Sequence, residues 1–594
     1  MASPEDRNNS RILMHASAWL FPMLLWWLGC FLYHGDLGRY SDDWAMGAVN
    51  PATGHFDWTA SPFPQAYFWR PLLQLFLHFV MSLLWDHMWV FHLLNVLTHA
   101  ITALLVWRLL RRLLSTPQAA AAGALVFLIF PNNYEVIFWS TAMTTGLGTL
   151  CAVVLAHCVI TWSRSAMVLS SRWLITCGVL AFAIPCWYEQ PSAMVLGLPL
   201  LALAASNSDI TPRSAVLRSA VLAAVCGVSV LCYVILLLQT APAQIRGAGG
   251  SYISMLQMPT RAVEFVSAVK WFYTSALSDA VRGGLEFAHA NITSISQLAV
   301  IGGTGIAGGF WLAGWWLPTP SPRTRPGNRA AWTWCFAVVT LIASWAPMFI
   351  VRGQILEARH NYYSMVPISL LIGLCIDAAL SGSEVLRRHR LCKALVGTTV
   401  AAAVWLLALS LFGMQSLMRE RTRGDLAQMN GIAAAAPAAP AGTIFMALED
   451  NYRPAHTGRL FFDARLIGWI MASWSANPGV QHAFHRADVF ATYRNFWVPL
   501  TIDQVDAEGY RYNVGPNQSG LPDPLAGKRH RWDETVPYII EDDGRISLVS
   551  AMTVSRPGDE PLTLRFPRVG ASKGAATEAV RHVRDAYELK LPGN

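Results

Sequence analysis

A polytopic α-helical membrane protein with a small soluble α+β domain at its C-terminal end is the fold class this sequence predicts, on three observations. Of the 594 residues, 54% are hydrophobic and only 13% charged, against about 25% charged in an ordinary soluble domain. Apolar runs of about 20 residues, long enough to cross a hydrocarbon core, recur through the first two thirds of the chain. Basic residues gather in alternate loops between those runs, so the net charge of +8 reports topology rather than affinity for nucleic acid.

Taken in order, spans are expected near 13–34, 88–112, 117–131, 142–163, 172–188, 191–206, 214–239, 297–317, 330–351, 364–381 and 394–414, eleven in all. The polar start, Met1 to Arg11, precedes an apolar stretch too long for a signal-peptide core, and reads as leading into an uncleaved first span. With the N-terminus cytoplasmic, every short inner loop is basic: Arg108, Arg111 and Arg112; Arg164 and Arg172; Arg213 and Arg218; Arg323, Arg325 and Arg329; Arg387, Arg388, Arg390 and Lys393. This is the topology of a multi-pass protein of a bacterial inner membrane with a periplasmic tail, or of an endoplasmic reticulum membrane with a lumenal one. The ten cysteines lie in or beside apolar spans without CxxC or Cys/His metal spacing, as small buried residues do.

Three segments then face outward. Residues 35–87 hold Asp42, Asp43 and a Pro-bounded apolar stretch, Pro71 to Trp85, expected as a helix at the membrane interface. Residues 240–296 contain a turn rich in glycine (Gly247, Gly249, Gly250) and an amphipathic segment, Arg261 to Ala276. The tail begins after a transmembrane domain of residues 1–414 and forms an extracytoplasmic domain of residues 415–594. It opens on an Ala/Pro-rich linker, Ala433 to Ala441, and carries strand signals at Thr443 to Ala447 and in a hairpin, Tyr538 to Ile540 with Ile546 to Val549, turning through Asp542-Asp543-Gly544.

Ionisable groups at membrane depth are costly and mark functional sites. Asp42, Asp43, Arg70, Glu135, Glu189, Glu357 and Arg359, with His92, Asn95, His99, Tyr362 and Tyr363, all fall at or near the outer face in this topology and imply one polar cavity there. His92, Asn95 and His99 recur at steps of three and four and share a helix face. The blander readings are a helix-end ion pair between Glu135 and Arg70 and a packing role for His92. In the tail, His482 and His485 have no Cys or acidic neighbour that would complete a metal site.

The first outer loop, Asp42-Asp43 with Asn50 seven residues on, resembles the acidic-pair loop of GT-C glycosyltransferases. Trp69-Arg70-Pro71-Leu72 followed by His92, Asn95 and His99 resembles the YRPL…H-x-x-N-x-x-x-H run of the protein O-mannosyltransferases that carry tetratricopeptide repeats. Pro131 with Glu135, Glu189 with Gln190, and Arg359 with Tyr362 are similar to further motifs of that family, in the same order. Departures accompany these matches: the family's Arg-x-Asp appears here as Met143 and Thr145, its Lys before the buried Glu as Tyr188, and its Glu beside the Arg as Ala358. The tail also shows no helical repeat of about 34 residues, so a tetratricopeptide array is absent.

The resemblance implies a GT-C-like membrane fold and a polyprenyl-phosphate-linked sugar as donor, with a glycan, lipid or protein hydroxyl as acceptor and membrane lipids around the site. An acceptor hydroxyl is a weak nucleophile and needs a positioned carboxylate to take its proton. Asp42 is the expected base, with Asp43 orienting it or the acceptor. The departing phosphate needs cationic donors: Arg359 and Arg70 first, then Arg352 and Arg246, with Tyr362 beside them. Glu135, Glu189, His92, Asn95, His99, Glu357 and Tyr363 would support the cavity. Direct attack inverts the anomeric centre. No cofactor is required; a divalent metal beside the phosphate is possible chemically but has no motif. A transporter or flippase of lipid-linked glycans would instead place polar, broken helices at the bilayer midplane in related halves of the chain.

Overall fold

The computed structural model describes Leu37, Tyr40, Asp43, residues 70–76, 79–80, 83–164, 171–206, 211–240, single positions between 262 and 289, then 327–350, 358–382, 390–450, 473–492, 500–503, 507–514, 525–541, 543–554, 562–566 and 588–590. The expected spans 13–34 and 297–317 lie outside these residues, as do Asp42, Asn50, Arg246, Arg352 and Glu357. The chain divides into two compact units, one of Met1–Gly35, Trp69–Leu73 and His92–Ser416, the other of Asp36–Phe68, Gln74–Phe91 and Leu417–Asn594.

The described chain is mostly helical, with a small β region. Its helices are α1 (Pro71–Phe76), α2 (Met88–Leu113), α3 (Pro117–Ile129), α4 (Tyr134–Phe138), α5 (Met143–Ser163), α6 (Ser171–Trp187), α7 (Met194–Ala205), α8 (Pro212–Thr240), α9 (Gly327–Ile350), α10 (Ala358–Asn361), α11 (Met365–Gly382), α12 (Arg390–Ala435) and α13 (Ser473–Phe484). Three helices are long and apolar enough to cross a membrane, Met88–Leu113, Met143–Ser163 and Pro212–Leu237. A fourth span results if α3 and the segment Pro131–Phe138, bent from it by 53°, are counted together. Arg172–Trp187, Gln190–Ala205 and Met365–Ser381 are apolar but shorter; a helix of about 16 residues reaches roughly 24 Å, short of the roughly 30 Å of hydrocarbon. Eleven spans are therefore an expectation beyond what these helices establish. Along α8, Val216, Leu217, Val228, Leu231 and Ile235 are exposed, which suits a helix bathed in lipid better than one in water.

Proline sets the helix ends that matter below. Pro117 opens α3 at a position where its missing N–H costs nothing. Pro131 stops it, a single 3₁₀ turn (Pro131–Asn133) bends the chain, and α4 restarts with Glu135 in its first turn, where a carboxylate favours the helix dipole. The start of α3 is also held from outside. Asp377 on α11 accepts the backbone N–H of Ser115 at 2.9 Å and of Thr116 at 2.7 Å, and the Thr116 hydroxyl at 2.7 Å. Along the same pair of helices a Cβ at Gly123 would collide with the carbonyl of Ser369, so glycine permits the close approach.

In the second unit, β1 (Ile444–Asp450) lies between β2 (Phe490–Ala491) and β6 (Thr535–Ile540), parallel to both, and β7 (Ile546–Leu548) pairs antiparallel with β6. A second sheet orders β10 (Glu588–Lys590), β3 (Leu500–Asp503), β4 (Gly509–Val514) and β5 (Arg529–Arg531); β8 (Ala551–Val554) and β9 (Leu562–Arg565) pair with each other. The expected hairpin forms with Tyr538 opposite Leu548 and Ile540 opposite Ile546, and Gly544 takes the left-handed φ of 83° that its turn demands. The expected strand at 443–447 is β1, three residues longer at its end. Trp85 is buried in this unit's core and stacks at 4.7 Å on His482, while Leu75, Phe79 and Leu83, at steps of four, stay exposed. The Ala/Pro-rich linker begins later than expected: α12 runs on to Ala435, because alanine is the best helix former and Pro437 is the first residue to oppose it.

Candidate active site

Within the first unit the site is built from chain turns, each fixed by the helix it precedes or follows. Arg70 stands directly before α1, Glu135 in the turn after α3, Glu189 in the turn after α6, and Arg359 in the short α10 before α11. The opposite end of α5 carries Arg164 at its C-cap. A helix of 21 residues is about 30 Å long, so the turn that leads into α5 and the arginine that follows it stand a bilayer's thickness apart.

The Arg70 guanidinium grips Glu189 in a forked pair, Nε at 3.0 Å from both carboxylate oxygens and Nη2 at 2.7 Å from Oε2. Its Cζ also lies 4.3 Å over the ring of Tyr188. The expected helix-end pair of Arg70 with Glu135 is replaced by this one. Glu135, almost wholly buried, accepts the backbone N–H of Arg359 through Oε2 at 2.9 Å and the Tyr134 hydroxyl through Oε1 at 3.3 Å. The Arg359 guanidinium lies 4.6 Å over the ring of Trp139. Two arginines, each resting on an aromatic face, thus occur in one cluster. His360, next to Arg359 in the chain, is buried, and its proton affinity is held well below the usual imidazole range by burial first and then by the charges of Arg359 and Arg70.

The remaining predicted residues form the wall behind this cluster. Asn95 donates to the carbonyl of Trp139 at 3.0 Å, fixing the ring under Arg359. His99 contacts Tyr362 through Nδ1 and the Leu128 carbonyl through Nε2, both at 2.8 Å. A carbonyl only accepts, so Nε2 carries the proton and Nδ1 accepts from the Tyr362 hydroxyl. Phe127 packs against both rings, 5.4 Å from each. Tyr362, Tyr363 and His92 are fully buried.

Several contributors have little or no sequence signal. Gln190 donates to the carbonyls of Ser344 and His360, tying the turn after α6 to α9 and α10. Tyr273 donates to Asn361 Oδ1 at 2.6 Å and meets the ring of Trp345 edge-on. Trp139 is marked only by following an apolar turn. Among the described residues, no three His, Cys, Asp or Glu side chains converge as a metal site would need.

Asp43 belongs to the second unit. It is fully buried, its Oδ2 accepts the Tyr40 backbone N–H at 3.0 Å, and its own N–H donates to the Tyr40 carbonyl at 2.7 Å. This reciprocal pair opens a helical turn, as a capping box does.

No protein-family model matches the chain, and no curated protein does. Among solved structures, the crystal structure of the Archaeoglobus fulgidus oligosaccharyltransferase, tethered through a disulfide to an acceptor peptide containing the NVT sequon, is similar with a TM-score of 0.35 and 11% identity. The match covers 80% of this chain and 64% of that one, so the chain spans less than two thirds of that protein's length.

Proposed function

We propose that this chain is an integral membrane glycosyltransferase of the GT-C type, which moves a sugar from a polyprenyl-phosphate donor to a hydroxyl of a glycan, lipid or protein at the outer membrane face. The observation that carries the reading is the pair of guanidiniums, Arg70 on Tyr188 and Arg359 on Trp139, each held over an aromatic ring. A planar cation stacked on a ring is held in orientation, and its fork matches two phosphate oxygens.

In this reading the acceptor oxygen attacks the anomeric carbon as the bond from that carbon to the phosphate oxygen breaks. The acceptor proton passes to the Asp42 carboxylate, and the electron pair leaves with the polyprenyl phosphate. The donor diester carries one negative charge and the departing monoester gains a second. Arg359 and Arg70 would stabilise that growing charge more than the ground state. Asp43, with one oxygen already engaged by backbone, suits the orienting role and leaves proton transfer to Asp42. Tyr362 and His99, bonded to each other, suit the wall better than contact with phosphate. A flippase would need its ionisable groups at mid-helix. Arg70, Glu135, Glu189 and Arg359 lie instead in turns at helix ends, which favours the enzyme.

The test is transfer by purified protein in detergent from radiolabelled short-chain polyprenyl-phosphate hexoses and pentoses to simple glycoside acceptors. Asp42→Asn and the double variant Arg70→Gln/Arg359→Gln are each expected to lose at least a hundredfold in turnover. Unchanged turnover in either would refute the assignment.

A further inference from the structure

The long helix α12 carries a face with unusual chemistry in its second-unit half. Met418, Arg421, Thr422, Asp425, Gln428, Met429 and Ile432 recur at helical steps of three and four, and all are buried. The core positions of an amphipathic pattern are therefore occupied in the middle by an ion pair, Arg421 Nη2 to Asp425 Oδ1 at 2.8 Å, with each side chain only 1% exposed. Burial of such a pair is expensive and needs a structural reason.

Tyr40 meets the same helix beside this pair. Its hydroxyl donates to the Met418 carbonyl at 2.8 Å, and the Thr422 hydroxyl lies 2.8 Å from the Tyr40 phenol oxygen. Thr422 also lies 3.1 Å from the Met418 carbonyl. One hydroxyl has one proton, and Tyr40 already donates to Met418, so the shorter contact makes Thr422 the donor to Tyr40. At its other end Tyr40 gives its backbone N–H to Asp43 Oδ2 and takes the Asp43 N–H on its carbonyl. A continuous hydrogen-bonded chain thus runs from Thr422 through both ends of Tyr40 to Asp43.

We infer that Tyr40 and Thr422 are positioning residues, which fasten the turn closed by Tyr40 and Asp43 to the buried polar face of α12 and so hold Asp43, the carboxylate that orients the base or the acceptor. The inference rests on the glycosyl-transfer reading above. In that reaction the base must meet the acceptor oxygen within hydrogen-bond reach, and a displacement of about 1 Å costs on the order of a hundredfold in rate.

The test uses the full chain in detergent with Tyr40→Phe, Thr422→Val and the conservative Thr422→Ser. Phenylalanine keeps the buried ring and removes only the oxygen. Hydrogen exchange of residues 40–46 is expected to rise at least tenfold in Tyr40→Phe and Thr422→Val, and to stay within threefold of the parent in Thr422→Ser. Transfer from a short-chain polyprenyl-phosphate hexose should lose about tenfold in kcat for the first two with the donor KM unchanged, and Thr422→Ser should restore it. The Tyr40→Phe/Thr422→Val pair should be no slower than the worse single change, since both break one chain. Unaltered exchange overturns the inference whatever the activity. Raised exchange with unaltered kcat overturns the positioning role and leaves the glycosyl-transfer reading standing. Raised exchange in the variants, with a parent protein that transfers no sugar, sinks that reading and the positioning role with it.

Discussion

The pair of Arg70 and Glu189 allows a prediction worked from geometry alone. Three N···O distances of 2.7 to 3.0 Å define a forked pair, and the side chains are 18% and 32% exposed. At about 3 Å the Coulomb attraction is roughly 5 kcal/mol for an effective dielectric of about 20, before desolvation is subtracted. Fully exposed pairs retain about 0.2–1 kcal/mol of this, and breaking a buried pair costs about 3–5 kcal/mol. A partly exposed fork belongs between these limits, so a coupling energy of about 1.5 kcal/mol is expected. The assay is a double-mutant cycle of Arg70→Met, Glu189→Gln and the combination, followed by unfolding in mixed detergent with far-ultraviolet circular dichroism. Methionine keeps much of the stem that covers Tyr188, and the cycle cancels what each single change loses elsewhere. Raising the salt to about 1 M should remove less than half of the coupling, because a partly buried pair is screened less than an exposed one. A coupling under about 0.5 kcal/mol, the range of pairs that hold nothing in place, would mean that Glu189 does not fix Arg70, and the anchored cation on which the proposed phosphate site depends would be lost.

Three further outcomes follow from the same contacts. Arg359→Lys keeps the charge and the main-chain bond to Glu135 but loses the planar stack on Trp139 and the fork, so kcat/KM for sugar transfer should fall about 30-fold, or about 2 kcal/mol; a change within threefold would show that the guanidinium plane is not used. His360 is held neutral in the folded chain, whereas the unfolded chain protonates it near pH 6.5, so unfolding takes up a proton below that pH. Its contribution to stability is complete above pH 6.5 and is lost as the pH falls, and the slope of melting temperature between pH 7.5 and 5 should flatten in His360→Gln; an unchanged slope would place the effect elsewhere. Asp377→Ala strands two backbone N–H groups and a hydroxyl at the start of α3 and should cost about 2–3 kcal/mol, while Asp377→Asn, which keeps one acceptor, should cost about 1 kcal/mol; equal losses in chemical unfolding would contradict the capping geometry.

How far the sequence reaches can be followed in α12. Its first half was legible as a helix because an apolar run of about 20 residues is a strong signal. The expected end at residue 414 follows from the charges of Arg419 to Arg423, which cannot lie in hydrocarbon, yet nothing in those residues breaks a helix. The continuation was written in the step of the buried positions, with Arg421 and Asp425 in places where apolar residues usually sit. Read as a linker, that step is invisible; read as a helix, it exposes the buried pair. The site shows the same division. Residue types and their placement at helix ends follow from the chain, because proline and the ends of apolar runs mark where helices stop. Partners do not: Glu189 lies 119 positions from Arg70, and only the convergence of α1 and α6 decides between it and Glu135. Tyr273 had no signal at all, since a tyrosine in a loop is compatible with any role.

The exchange of partners between the two glutamates also explains how two arginines of one cluster are held differently. Glu189 takes hold of the Arg70 side chain itself, so this guanidinium is oriented by a carboxylate and a ring together. Glu135 takes the main-chain N–H of Arg359 instead, which fixes where the side chain begins, while the ring of Trp139, held through its carbonyl by Asn95, fixes where it lies. The charge at Arg70 is therefore partly compensated by the contact that positions it. At Arg359 a backbone bond and an aromatic face set where the side chain begins and lies. Under the glycosyl-transfer reading both guanidiniums are thus oriented before the leaving phosphate gains its charge, which is where preorganised cations contribute most.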